Sequence, residues 1–285
     1  MNRKKTQPQA SFDPRKLLRA YRKPGLFVVG INTDIGKTTV TAALAAAFSR
    51  LGIHVGICKP VASGCPKRPD RGEPEGLTDD DMLSPDAARV MNMIGLDPAD
   101  SELLKFTSPI RFAAPVSPHL AARIERRRLN WRRVTAAMDY WRKHCDFLLV
   151  ESAGGWMTPL DDQPSLFTVA DLAAILKLPV VIVTGTYLGA FAHTLIVIES
   201  IRARKLPLAG MVVNRVGASR DLAEVTALEE LPRITGLPVI AALPQREQLI
   251  ESRIPEEFVE KLTPFAKYYY GTLFSGSRRR GSGRL

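Results

Sequence analysis

Cysteine is scarce in this chain, with only Cys58, Cys65 and Cys145 among 285 residues. An odd number at unrelated spacings builds neither a disulfide framework nor the paired spacing of a zinc site. It predicts a reducing compartment, the cytoplasm. Long apolar runs are also missing. Each one, such as residues 178–183, breaks off within about ten residues, well short of the roughly 18 a membrane-spanning helix needs. The first 24 residues have neither the continuous apolar core of a secretory signal nor the serine enrichment of a transit peptide. The body of the chain lacks net charge as well. Residues 1–24 carry eight Lys or Arg against Asp13, and residues 275–285 carry four Arg and no acid, so the overall +11 leaves residues 25–274 balanced. A basic face built into the fold is thereby excluded, and neither specific nucleic-acid binding nor membrane association is expected. The two termini read as disordered basic extensions, 1–24 and 275–285, flanking one domain over 25–274.

What is present is enough for a large core, since 45% of the residues are hydrophobic. Short apolar runs recur at 26–29, 54–58, 147–150, 180–183, 209–213 and 238–241. They are apolar throughout rather than alternating, as strands covered on both faces are. Helical patterns lie between them near 39–51, 85–93, 118–127, 131–144, 167–176, 189–203 and 222–231. Repeated strand and helix predicts an α/β fold, a doubly wound and mainly parallel sheet with helices on both faces. The stretch 64–84, rich in Pro, Gly and Asp, reads as a mobile surface loop, and the arginine-rich stretch 123–133 as a solvated surface.

After the first strand comes Gly30-Ile-Asn-Thr-Asp-Ile-Gly36-Lys37-Thr38-Thr39 and then a helix. This is a P-loop with five residues between its glycines instead of the usual four. Backbone amides from Asn32, Thr33, Asp34, Ile35, Gly36 and Thr39 can turn onto phosphate oxygens at the positive end of the helix. Lys37 reaches the terminal phosphates, and Thr38 offers its hydroxyl to Mg²⁺. At the carboxyl end of the second strand stand Lys59 and Ser63, where the loops of an open α/β sheet face the ligand crevice. A third strand ends in Glu151, followed by Gly154 and Gly155. A carboxylate there can hold Mg²⁺, and the glycines allow backbone to approach a charged ligand.

With these motifs, residues 25–245 resemble the dethiobiotin synthetase family. The matching pieces are the P-loop, Lys59-Pro-Val-Ala-Ser63-Gly64, Pro115-Val-Ser-Pro-His119, Val150-Glu-Ser-Ala-Gly-Gly-Trp156, Gly185-Thr-Tyr-Leu-Gly189 with His193, then Asn214 and Leu243-Pro244. The resemblance implies a P-loop NTPase-like fold and an ATP- and Mg²⁺-dependent ligase. Such an enzyme joins 7,8-diaminopelargonate and CO₂ or bicarbonate through an N-carbamate and a carbamic-phosphoric anhydride. It implies Lys37, Lys59 and Ser63 as catalytic residues, and Thr38, Glu151 and one aspartate as Mg²⁺ ligands. Asp86, in Ser84-Pro-Asp86, is taken for that aspartate, with the run Asp79-Asp80-Asp81 as the competing choice. Adenine would lie beside Asn214, Leu243 and Pro244. The substrate would meet Lys59, Ser63, Gly154 and Gly155, with its carboxylate on the backbone of Leu188, Gly189, Ala190 and Phe191, contributed across a homodimer with shared sites. Asp34, Ser152, Tyr187 and Ala192 depart from the family's usual Glu, Gly, Lys and Asn. The alternative is a P-loop switch ATPase of the partition type using the basic tails on DNA; that class has an extra lysine early in the loop, and Ile31, Asn32, Thr33 and Asp34 include none.

Overall fold

The computed structural model describes residues 13–68, 78–217, 221–246 and 254–278. The chain enters through α1 (Pro14–Leu17), forms β1 (Gly25–Gly30), crosses over through α2 (Lys37–Arg50) and returns as β2 (Val55–Cys58). A short strand β3 (Val61–Ala62) follows. Then come α3 (Pro85–Met93), α4 (Ser101–Thr107) and β4 (Ile110–Arg111), which pairs in parallel with β3. Helices α5 (Pro118–Ile124) and α6 (Trp131–His144) lead into β5 (Phe147–Gly155). The antiparallel pair β6 (Pro159–Asp161) and β7 (Phe167–Thr168) leads into α7 (Val169–Leu176). The last part alternates β8 (Val180–Thr184), α8 (Ala190–Ala203), β9 (Leu208–Val216), α9 (Leu222–Thr235), β10 (Val239–Pro244) and α10 (Glu256–Arg278).

Six strands form one parallel sheet in the order β10, β9, β8, β1, β5, β2. Side chains of β1 alternate between two cores: Phe27 and Val29 enter a cluster with α6, α7 and α8, while Leu26 and Val28 enter another with α2, α3 and α10. Both faces are therefore covered, which is why the strands read as unbroken apolar runs. The carboxyl ends of β1, β2 and β5 lie side by side and face one crevice, as they do in doubly wound sheets.

Four expectations need correction. Residues 13–24 are not a disordered extension: Asp13 caps α1, Leu18 and Tyr21 are buried in the core, and the Tyr21 amide donates to Leu176 O at 2.9 Å. Residues 275–278 are the last turn of α10 rather than free tail; residues 1–12 and 279–285 lie outside the described residues. The described ends of 64–84 are built into the fold. Cys65, Arg68 and Met82 are buried, and the Arg68 amide donates to Asp81 O at 2.8 Å; residues 69–77 lie outside the described residues. Finally, the arginine-rich stretch is not simply solvated. Arg127 and Arg133 reach back to Asp79 and Asp80, which also hold the buried Arg111. Each of these charges has a partner distant in sequence, so its local pattern looks like solvated surface.

Candidate active site

Gly30 ends β1, and the loop that follows turns tightly enough to need left-handed backbone at Asp34 (φ 58°) and Gly36 (φ 95°). Gly36 has a second constraint: a Cβ there would stand 1.9 Å from Asn214 Nδ2. Asn214, at the end of β9, donates that amide to Ile35 O at 2.9 Å and so fastens the loop to the sheet. Helix α2 begins with no side-chain cap and no acid in its first turn, which leaves its leading amides for an anion. Lys37 is buried, with Nζ 3.2 Å from Asn32 O. Burial lowers its pKa; Glu151 pulls the other way, and neighbouring Lys59 adds to the lowering.

Four side chains from four elements meet beside it. Thr38 Oγ1 lies 2.9 Å from Glu151 Oε1 and 3.1 Å from Asp86 Oδ1. Lys59 Nζ lies 3.0 Å from Glu151 Oε1 and also contacts Asp86 Oδ2. Burial disfavours the Lys59 ammonium, but Glu151 and Asp86 more than reverse this and raise its pKa. Asp86 is the counterpart. Burial alone would raise its pKa, but the charge and hydrogen bond of Lys59, then the Thr38 hydroxyl, hold it below the ordinary carboxylate value. Ser84 caps α3 by accepting from Ala87 N at 3.3 Å, and Pro85 opens the first turn, so the position of Asp86 is set by the helix start.

This donor set suits a hard divalent cation. The Thr38 hydroxyl has one proton but two carboxylate oxygens within hydrogen-bond distance, so one of those contacts lacks a hydrogen. Oxygens from a hydroxyl and two carboxylates are what Mg²⁺ takes alongside water and phosphate. Among the described residues no three His, Cys, Asp or Glu side chains cluster, so here the hydroxyl is needed. Asp79 and Asp80 are engaged by Arg111, Arg127 and Arg133, whereas Asp86 is the aspartate beside Thr38.

A cleft of about 330 Å³ joins these groups; Thr33, Asp34, Gly36, Thr39, Gly154, Asn214 and Pro244 line it with them. A family model described as "AAA domain" matches residues 24–253. The ATP-dependent dethiobiotin synthetase of Thermodesulfovibrio yellowstonii is 31% identical over 245 residues, covering 84% of this chain and 95% of that protein. The one from Pseudomonas aeruginosa is 36% identical over 231 residues (79% and 91%), and that of Phenylobacterium zucineum 37% over 220 (76% and 87%). The chain belongs to the dethiobiotin synthetase family. Among solved structures, a MinC:MinD cell division complex of Aquifex aeolicus gives a TM-score of 0.51 at 12% identity, covering 87% of this chain and 96% of that one. A ParA family ATPase of Chlorobium tepidum gives 0.50 at 17% (87% and 99%). The likeness to these two structures is one of fold, a parallel α/β sheet.

Within this family member, several residues expected at the site stand elsewhere. The side chains of Leu243 and Ile35 are buried in the core with α2 and α10, so neither lines the cleft. Ser63 follows β3, half-buried and outside the cleft lining. Gly155 packs 3.6 Å from Ile31 O, which brings β5 against the P-loop. Leu188 to Phe191, expected to serve a partner's site, lie outside the cleft lining of their own chain. Leu188 is 89% exposed, Gly189 has φ 99°, Ala190 is buried with its amide on Tyr187 O, and Phe191 packs on the core. Asn32 accepts from Thr33 N at 2.7 Å, and Tyr187 OH, at one of the family departures, lies 3.0 Å from His193 Nδ1. Arg89, Arg215, Gln245, Arg246 and Phe258 line the cleft unforeseen. Phe258 comes from α10, whose apolar residues Phe258, Val259, Leu262 and Ala266 follow a helical period. Pro264 inside that helix masks the signal.

Proposed function

We propose that the chain is an ATP-dependent dethiobiotin synthetase that carboxylates 7,8-diaminopelargonate and closes its ureido ring, with residues 25–274 as the working part of a domain that α1 and the end of α10 complete. The observation that carries this is the convergence of Lys59, Thr38, Asp86 and Glu151 beside the P-loop lysine. One substrate amine takes up CO₂ as a carbamate. Its oxygen attacks the γ-phosphorus of ATP, ADP leaves, and the second amine then attacks the carbonyl carbon and expels phosphate to close the ring. When bound, Mg²⁺ neutralises phosphate charge; Thr38, Asp86 and Glu151 would hold it. Lys59, kept protonated by two carboxylates, serves as a fixed positive charge for the carbamate and not as a base. Lys37 meets the charge that builds on the transferring phosphoryl group. Little covalent chemistry falls to the protein, whose contribution is alignment and charge. Ser63, Gly154 and Gly155 belong to the substrate side, and Asn214 and Pro244 to the adenine side.

The reading extends to a homodimer in which the start of α8 receives the substrate carboxylate of the partner's site. Exposed apolar side chains on neighbouring helices support it: Leu188 and Ile196 at α8, Leu222, Val225 and Leu228 on α9. A cytoplasmic location goes with this reading and is supported by the biosynthetic activity for which the relatives are named; the three cysteines are free, and no helix among the described residues is long and apolar enough to cross a membrane. A coupled ADP-release assay with 7,8-diaminopelargonate, bicarbonate and Mg-ATP tests the proposal. Turnover that needs all three components is expected, and ATP hydrolysis indifferent to the diamine would overturn it.

A further inference from the structure

Three arginines line the cleft without a part in the reaction, Arg89, Arg215 and Arg246, and Arg89 is the one with a buried donor. Arg89 stands three residues after Asp86 on α3, so the two share a helix face, and both line the cleft. Its neighbours Ala87, Ala88 and Val90 are buried, which fixes the helix that carries it. The Nε–H of Arg89 is shut away from solvent and has no hydrogen-bond partner among the described residues. Among the described residues no carboxylate pairs with Arg89; the nearby Asp86 and Glu151 are engaged by Lys59. A guanidinium donor out of water with no acceptor is costly, and an anion entering the cleft removes that cost. Lys59 has its charge compensated twice over and Arg246 is paired with Glu257, so Lys37, Arg89 and the exposed Arg215 are left to meet an incoming polyanion, and of these Arg89 holds the buried donor in want of an acceptor. The planar fork of arginine fits two oxygens of one phosphate.

We propose that Arg89 is a phosphate-binding residue of this site, its guanidinium taking oxygens of the nucleotide's polyphosphate from the α3 side of the cleft. This rests on reading the cleft as a Mg-ATP site. The test is calorimetric titration of Mg-ADP, Mg-ATP and, separately, 7,8-diaminopelargonate into wild type, Arg89→Ala, Arg89→Met and Arg89→Lys, with thermal unfolding of each. Both Arg89→Ala and Arg89→Met should bind nucleotide about tenfold to a hundredfold more weakly, as expected for a lost charge-assisted hydrogen bond. Diaminopelargonate affinity should stay within about twofold, and Arg89→Lys should fall between, because it keeps the charge but not the fork. Arg89→Met keeps the apolar stem and decides the matter if the alanine variant does not fold. Equal loss for nucleotide and diamine would mean a structural role and overturn the inference, as would unchanged nucleotide binding. If wild type itself binds no Mg-nucleotide, the reading of the cleft falls first.

Discussion

Lys59 and Asp86 hold each other's charge, and the directions of their pKa shifts set a pH window. Asp86 is lowered in the fold, so its contribution to stability is complete above the ordinary aspartate value of about 3.9 and is lost as pH falls through the lower folded value. Lys59 is raised, so its contribution is complete below about 10.4 and is lost as pH rises through the higher folded value. Denaturant unfolding followed from pH 2 to 7 should show Asp86→Asn losing less stability on acidification than wild type; parallel acid limbs would contradict the pairing. Lys37→Ala should lower kcat by about a hundredfold to a thousandfold, the usual cost of removing a preorganised charge stabiliser, about 2.7–4 kcal/mol. Activity within threefold of wild type in the ADP-release assay would remove Lys37 from the reaction. Gly36→Ala combines left-handed backbone with a Cβ 1.9 Å from Asn214 Nδ2. The backbone strain alone is about 1–2 kcal/mol, and Mg-ATP binding should be lost in calorimetry while far-UV circular dichroism is kept.

Among the elements, α1 and α10 decide where the domain begins and ends. Leu18 and Tyr21 belong to the core cluster that α6 and α7 share, so the basic N-terminal segment from Asp13 onward is part of the fold although its composition suggests a tail. Starting the chain at Asp13 should leave the melting temperature unchanged. Starting it at Gly25 should lower stability by at least the roughly 1.5–3 kcal/mol that burying one leucine contributes. Equal melting temperatures for the two truncations would show that α1 packs without consequence. Helix α10 seals the other face against α2 and delivers Phe258 to the cleft. The helices expected from the sequence end at residue 231; the apolar period Phe258, Val259, Leu262, Ala266 is there, with Pro264 interrupting it. Strands β3 and β4 were not legible, because two-residue strands carry no periodicity.

For the whole molecule, the cleft of one chain has cations and the proposed Mg²⁺ ligands, and the start of α8 lies outside its lining. In the proposed dimer this helix start would serve the partner's cleft. Ala190 is buried, so an acidic probe belongs instead at the exposed Leu188. Lys37→Ala and Leu188→Asp subunits should each be nearly inactive alone. After unfolding and random reassociation, about half the dimers are mixed and each has one site made of two intact parts, so roughly a quarter of wild-type activity should return. If native mass spectrometry shows mixed dimers without activity, the carboxylate is bound within one subunit.

Sequence alone determined the class of fold, because strands buried on both faces must be apolar throughout and their crossovers helical. It also determined the P-loop, since the glycines and Lys37 act over a few adjacent residues, and it put Lys59 just past a strand end; β5, expected to end at Glu151, runs on through Gly155 and holds Glu151 within it. Tertiary structure alone decided which aspartate stands beside Thr38, 48 residues away in the chain. It decided, too, that the acidic run and the arginine-rich stretch neutralise each other, that Asn214 fastens the P-loop, and that Arg89 faces the cleft without an acceptor. The physical reason is common to all four: a charge or amide carries no local mark of its partner, and packing of distant elements chooses that partner.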